Sequence, residues 1–129
     1  MGFQVFDYRA VAQVSDEFTA SSTLAPRTLV TASGVGQGFD EILLTNSDAG
    51  DRHASFYLKA GTASILLATV NVATGSGIAP GATPVNFLAF LALTNPRFNL
   101  PAGGVLSWIV DALPTAPGIV TVSLFGGTY

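Results

Sequence analysis

Ala54-Ser55-Phe56-Tyr57-Leu58-Lys59-Ala60 decides the fold class, because apolar and polar residues alternate along it without a break. Ala54, Phe56 and Leu58 fall on one side and Ser55, Tyr57 and Lys59 on the other, the period of a half-buried strand. Working outward, residues 105–111 repeat the pattern, with Leu106, Trp108 and Val110 on one face and Ser107 and Asp111 on the other. Residues 119–125 place Val120, Val122 and Leu124 inward and Thr121 and Ser123 outward. Thr28-Leu29-Val30-Thr31-Ala32 is β-branched and runs into the glycine-rich turn Ser33-Gly34-Val35-Gly36-Gln37-Gly38. Residues 39–46 follow, then the polar turn Ser47-Asp48-Ala49-Gly50-Asp51. Residues 64–72 are rich in Ile, Leu, Val and Thr, and residues 73–85 form a long Gly/Pro loop. Residues 87–94 are apolar on both faces; they are expected as a strand, with one buried helix as the competing reading.

Many short strands punctuated by Gly, Pro, Asn and Asp predict an all-β chain. The expectation is a single antiparallel β-sandwich, jelly-roll or Ig-like, of seven strands, or eight if residues 4–11 pair as well. Residues 28–129 form the sandwich. Residues 1–27 read as a first strand with its loop or as an extended arm that lies on a partner, because Phe3, Val5, Phe6, Tyr8 and Phe18 stand there among charges and a Ser/Thr cluster.

Composition narrows the function. The chain has 129 residues, of which 49% are hydrophobic and only 10% charged, against roughly 25% charged in an average soluble domain. Eight acidic residues outnumber five basic ones, so no nucleic-acid footprint is present. No run reaches the about 20 apolar residues of a membrane-spanning helix, and the N-terminus lacks the basic-then-apolar pattern of a signal peptide. With no cysteine, neither a disulfide framework nor a thiolate metal site exists.

Catalytic chemistry finds little to stand on. His53 is the single histidine and sits beside the acidic turn, where a solvated role is the simpler one. Residues 46–51 offer oxygen ligands for calcium but depart from the EF-hand spacing and lack its closing Glu, so a plain hairpin turn is expected. Asp16-Glu17 and Asp40-Glu41 are adjacent pairs whose members point to opposite strand faces, so neither converges as an acid–base dyad. The glycine-rich turn has no following helix and no nearby Lys, so it lacks phosphate-binding physics. The residues therefore name no catalytic group, cofactor or metal. A sugar-binding sandwich remains the alternative class, yet Trp108 points inward and Tyr57 stands alone as an outward aromatic.

Charge is also lopsided. Eleven of the thirteen charged residues lie at or before Lys59; only Arg97 and Asp111 follow. Outward positions in the second half are Ser, Thr, Asn, Ala and Gly, or apolar on both sides of the strand. Surfaces of that kind are normally covered, since interface cores are depleted of charge. A tight homo-oligomer, with a trimer as first guess, or a subunit docked on a larger body is expected.

Several stretches also resemble a known group. These are Thr28-Leu29-Val30-Thr31-Ala32-Ser33-Gly34, Glu41-Ile42-Leu43-Leu44-Thr45-Asn46, Ala54-Ser55-Phe56-Tyr57-Leu58, Leu100-Pro101-Ala102-Gly103 and the closing Phe125-Gly126-Gly127-Thr128-Tyr129. Together they resemble small β-sandwich virion proteins encoded among the structural genes of tailed bacteriophages and prophages, over residues 28–129. The resemblance implies a capsid decoration (cement) protein bridging major-capsid subunits at the virion surface after assembly in the host cytoplasm. A head-fibre or tail accessory protein is the alternative within that group. On this reading Phe3, Val5, Phe6 and Tyr8 are the candidate contacts with the major capsid protein or another virion protein. Phe87, Phe90, Leu91 and Leu93 are the candidate self-association residues.

Overall fold

The computed structural model describes residues 11–32, 36–91 and 98–128. Nine strands fill them: β1 (Val11–Thr19), β2 (Arg27–Thr31), β3 (Gln37–Asn46), β4 (Arg52–Ala60), β5 (Ala63–Val72), β6 (Val85–Asn86), β7 (Phe98–Leu100), β8 (Val105–Val110) and β9 (Ile119–Thr128). All pairings are antiparallel, in two sheets. The first sheet runs β1-β9-β3-β6, with β7 also pairing β3, and the second runs β2-β8-β4-β5.

The order has a simple origin. β1 pairs β9, β2 pairs β8, β3 pairs β6 and β7, and β4 pairs β5. The chain is thus one long hairpin with the β4–β5 turn at its tip, rolled so that successive pairs alternate between sheets. That is jelly-roll topology. The tip turn is Gly61-Thr62, and Gly61 at φ +71° supplies the positive φ that a two-residue type II′ hairpin needs at its first central position.

Period-two alternation fills the core. Ala54 and Phe56 of β4, Leu106, Trp108 and Val110 of β8, and Val120, Val122 and Leu124 of β9 are all buried, as their alternation predicts. Trp108 is the hub: Phe18 meets it edge-on with ring centroids 4.9 Å apart, and Phe56 stacks at 6.1 Å. Phe87 closes the cluster 4.1 Å from Phe56. Each such burial contributes about 1.5–3 kcal/mol. Gly126 marks where β9 crosses a bulge in β3: a Cβ there would lie 1.9 Å from the Gly38 carbonyl oxygen, so only glycine lets the two backbones approach.

The structure adds detail to two expectations and corrects another. In the N-terminal segment the described strand is Val11–Thr19, which pairs β9 along its length and buries Phe18; residues 4–10 of the expected strand lie outside the described residues. The described part of residues 1–27 therefore belongs to the sandwich. Residues 87–90 are not a strand: Val85–Asn86 pair β3, and Phe87–Phe90 then turn into one 3-10 helix; residues 92–94 lie outside the described residues. Asn86 caps the helix, its Oδ1 accepting from the Leu88 N–H at 3.1 Å. The described residues hold nine strands, close to the seven or eight expected, since β6 and β7 both stand at the sheet position where one strand is expected.

Candidate functional site

Four strands terminate the sheets among the described residues: β1 and β2 on one side, β5 and the broken β6/β7 position on the other. The β1–β2 side is tied up by Asp16. Its register partner is Val122, which is buried, so alternation turns the carboxylate toward the core rather than to solvent. It accepts Nε of Arg27 at 2.7 Å and a terminal guanidinium nitrogen at 2.9 Å, and Oδ2 also takes the Trp108 indole N–H at 3.0 Å. The Arg27 guanidinium lies 5.5 Å from the Phe18 ring centroid. Burial pushes Asp16 upward, but the Arg27 and Trp108 hydrogen bonds prevail and hold its carboxyl below the usual value.

The β5 edge has no such fixture. Its ten residues, Ala63-Ser64-Ile65-Leu66-Leu67-Ala68-Thr69-Val70-Asn71-Val72, contain no charge and no proline. Ile65 is 56% and Leu66 52% exposed, values uncommon for large apolar side chains on a regular strand. Their exposure follows from register. Tyr57 pairs Leu66 and Phe56 pairs Ala68, so Leu67 is an extra residue that bulges the strand and packs on the core. Leu66 then shares the outer face with Tyr57, and Ile65 lies beside Leu58 at the hairpin end. β5 packs against the 3-10 helix, which exposes Phe90 to 57%.

Charge is sparse on the outer face of the second sheet, whereas that of the first carries exposed Glu17, Asp40 and Glu41. Across the second sheet the rows read Thr28–Ser107–Tyr57–Leu66, Ile109–Ser55–Thr69 and Thr31–Val105–Lys59–Ser64. Across the first they read Ser15–Ser123–Leu43–Asn86 and Glu17–Thr121–Thr45. Tyr57 does face outward, half-buried, as the alternation predicts. An open cleft of about 320 Å³ lies between Thr19–Ser21 and Ala116–Ile119, and a polar groove of about 420 Å³ is lined by Ser15, Asp16, Glu17, Thr121 and Ser123. Neither contains an aromatic platform.

The acidic turn is a structural latch. Buried Asn46 donates Nδ2–H to the Gly50 and Val72 carbonyls at 3.0 and 2.9 Å, and its Oδ1 accepts from the Asp48 N–H at 2.8 Å. Asp48 turns inward, pairs with Arg52 at 2.7 Å and accepts the Thr115 N–H at 2.9 Å. Its main-chain oxygen takes the Thr74 hydroxyl. Burial raises the Asp48 carboxyl, yet the Thr115 and Ala49 N–H groups and the Arg52 charge hold it below the usual range. Asp51 is likewise held down by the Thr74 N–H and Asn71. These oxygens pin the 73–84 and 112–118 loops to the turn, the role of a hairpin rather than of an open calcium cage. His53 Nδ1 sits 3.2 Å from Asp111 Oδ2 on the outer face, joining β4 to the end of β8. Asp40 and Glu41 are both exposed because the bulge between Phe39 and Glu41 turns two neighbours outward.

The sequence-derived contact residues fare unevenly. Phe87 is wholly buried against Phe56 and offers no surface to a partner, which removes it from the self-association set. Phe90 is exposed and Leu91 packs partly on the core. Leu93 and the capsid-contact candidates Phe3, Val5, Phe6 and Tyr8 lie outside the described residues. Ile65 and Leu66 were not among the candidates, although the run Ile65-Leu66-Leu67-Ala68 breaks period two and marks the bulge. Among the described residues no group of His, Cys, Asp and Glu is placed to hold a metal ion, and no helix is long and apolar enough to cross a membrane. Comparison with family models, curated proteins and solved structures returns no match.

Proposed function

We propose that the chain is a structural virion subunit, a capsid decoration protein that docks as a homo-oligomer on the major-capsid lattice and stabilises it. The observation that carries this reading is the absence of charge from the β5 edge and its sparseness on the outer face of the second sheet, where, among the described residues, only Lys59 and Asp111 stand among uncharged neighbours and His53. A free domain of this size covers such faces with Lys, Glu, Asp and Arg; here Ser, Thr, Tyr, Leu and Ile occupy them, as in interface cores. The jelly roll is also a scaffold used by capsid domains, an analogy of fold alone. The side chains that could do chemistry are spent on structure: Asp16 on Trp108, Asp48 on Arg52, His53 on Asp111. On this reading the work is mechanical, with contacts of roughly 800 Å² per partner holding neighbouring capsid subunits together.

The test is to follow the chain through a density gradient of particles released from the strain that encodes it. It should band with filled heads and stay with them through washing, and the purified protein should be silent on a glycan array. Recovery only in the free-protein fractions, or strong binding to one glycan class, overturns the proposal in favour of an adhesin-type sandwich.

A further inference from the structure

We infer that two copies of this chain pair edge to edge through β5, antiparallel about a two-fold axis, joining their second sheets into one continuous eight-stranded sheet. The inference rests on the homo-oligomer part of the proposed function and is independent of its virion part.

Among the described residues the other edges are protected by recognised devices. β1 carries Asp16 and Glu17, β2 is five residues long, begins with Arg27 after Pro26 and is bulged between Thr28 and Val30. The β6/β7 position is broken into pieces of two and three residues by the 3-10 helix. β5 alone is long, uncharged and free of proline. Its bulge at Leu67 adds local twist, yet both flanking stretches keep their ladder to β4.

Charge chooses the occupant. In a two-fold contact the two copies present the same patch to each other, residue i meeting j and j meeting i, so charges of a single sign on the edge would gather at the contact and repel. β5 has none to repel and none with which to recruit an oppositely charged partner. What it does present is hydrogen-bonding backbone flanked by Ile65 and Leu66. A second uncharged β5 supplies the matching surface. A ten-residue strand is about 33 Å long and the sandwich about 20 Å thick with its side chains, giving roughly 650 Å² per copy. The total of about 1300 Å² lies inside the range of about 1200–2000 Å² for stable interfaces.

Sedimentation equilibrium of the full chain from low to high micromolar concentration tests this. The wild type should form dimers. Leu66→Glu and Leu66→Lys, at an exposed site, should each shift the dissociation constant upward at least tenfold, and mixing the two should restore dimer. Thr69→Glu, on the same strand, is the second variant should a Leu66 variant misfold. Glu17→Lys on the opposite side should leave the dimer unchanged. A wild-type monomer at high micromolar concentration, a trimer, or a dimer that survives both β5 charges would overturn the inference. So would a dimer lost only on deleting residues 1–10, which would assign the contact to the arm.

Discussion

At the β1–β2 side a carboxylate, a guanidinium and an indole are bound together around Asp16, whereas the β5 side carries ten residues without one charged side chain. The same aromatic core lies behind both. The contrast shows that closing a core and finishing an edge are separate tasks. One edge is finished from within the chain, by an acidic residue that satisfies Trp108 and anchors Arg27. The other carries no such fixture, and on the proposed pairing a second copy of the chain finishes it.

The comparison can be broken at several points, beginning where the effect is greatest. Phe18 is wholly buried on β1, edge-on to Trp108. Phe18→Ala should cost about 3–5 kcal/mol in urea unfolding; a loss under about 1 kcal/mol would show that the β1 side is not closed by this core. Asp16→Ala comes next. It leaves the indole N–H of fully buried Trp108 without its acceptor, for about 1–3 kcal/mol, while dimerisation through β5 should be unaffected.

Acid should act through four hydrogen-bonded carboxyls, Asp16 on the guarded side, Asp51 beside Asn71 of β5, and Asp48 and Asp111 between them. The carboxyls of Asp16, Asp48, Asp51 and Asp111 are held below their ordinary value in the folded chain, so their stabilisation is complete above about pH 4. It is lost as pH falls through the folded values, because the unfolded chain then binds more protons. Melting temperature should accordingly be flat near neutrality and fall below about pH 4. A melting temperature that rises on acidification would contradict the hydrogen bonds drawn to these groups. The smallest effect belongs to the bare edge. Leu66→Thr, assayed at concentrations too low for pairing, should change monomer stability by under about 0.5 kcal/mol.

Much of this sandwich could be read before the structure, and the reasons are particular. β4, β8 and β9 show uninterrupted alternation, so the inward turn of Phe56, Trp108 and Val122 was written in the sequence. Residues 87–90 were not so readable, since an apolar run with no period fits strand and helix alike; the Asn86 cap settles it only once Leu88 is in place. Asp16 hid its role for another reason. Its inward position follows from Val14 and Phe18 on either side, but its partner Trp108 is 92 residues away, and a lone charge on a strand is ordinarily assigned to solvent. The β5 edge stayed hidden because exposure at Ile65 and Leu66 depends on strand order, which places β5 at the end of its sheet, and on a bulge.

Amide hydrogen exchange, measured strand by strand at low and at high protein concentration, compares the two edges in one experiment. The free edge of β5 should become protected as concentration rises, by at least tenfold in exchange rate, while the amides of β1 keep the same rate throughout. Equal behaviour of β1 and β5 across that range would contradict the division between a guarded edge and one awaiting its partner.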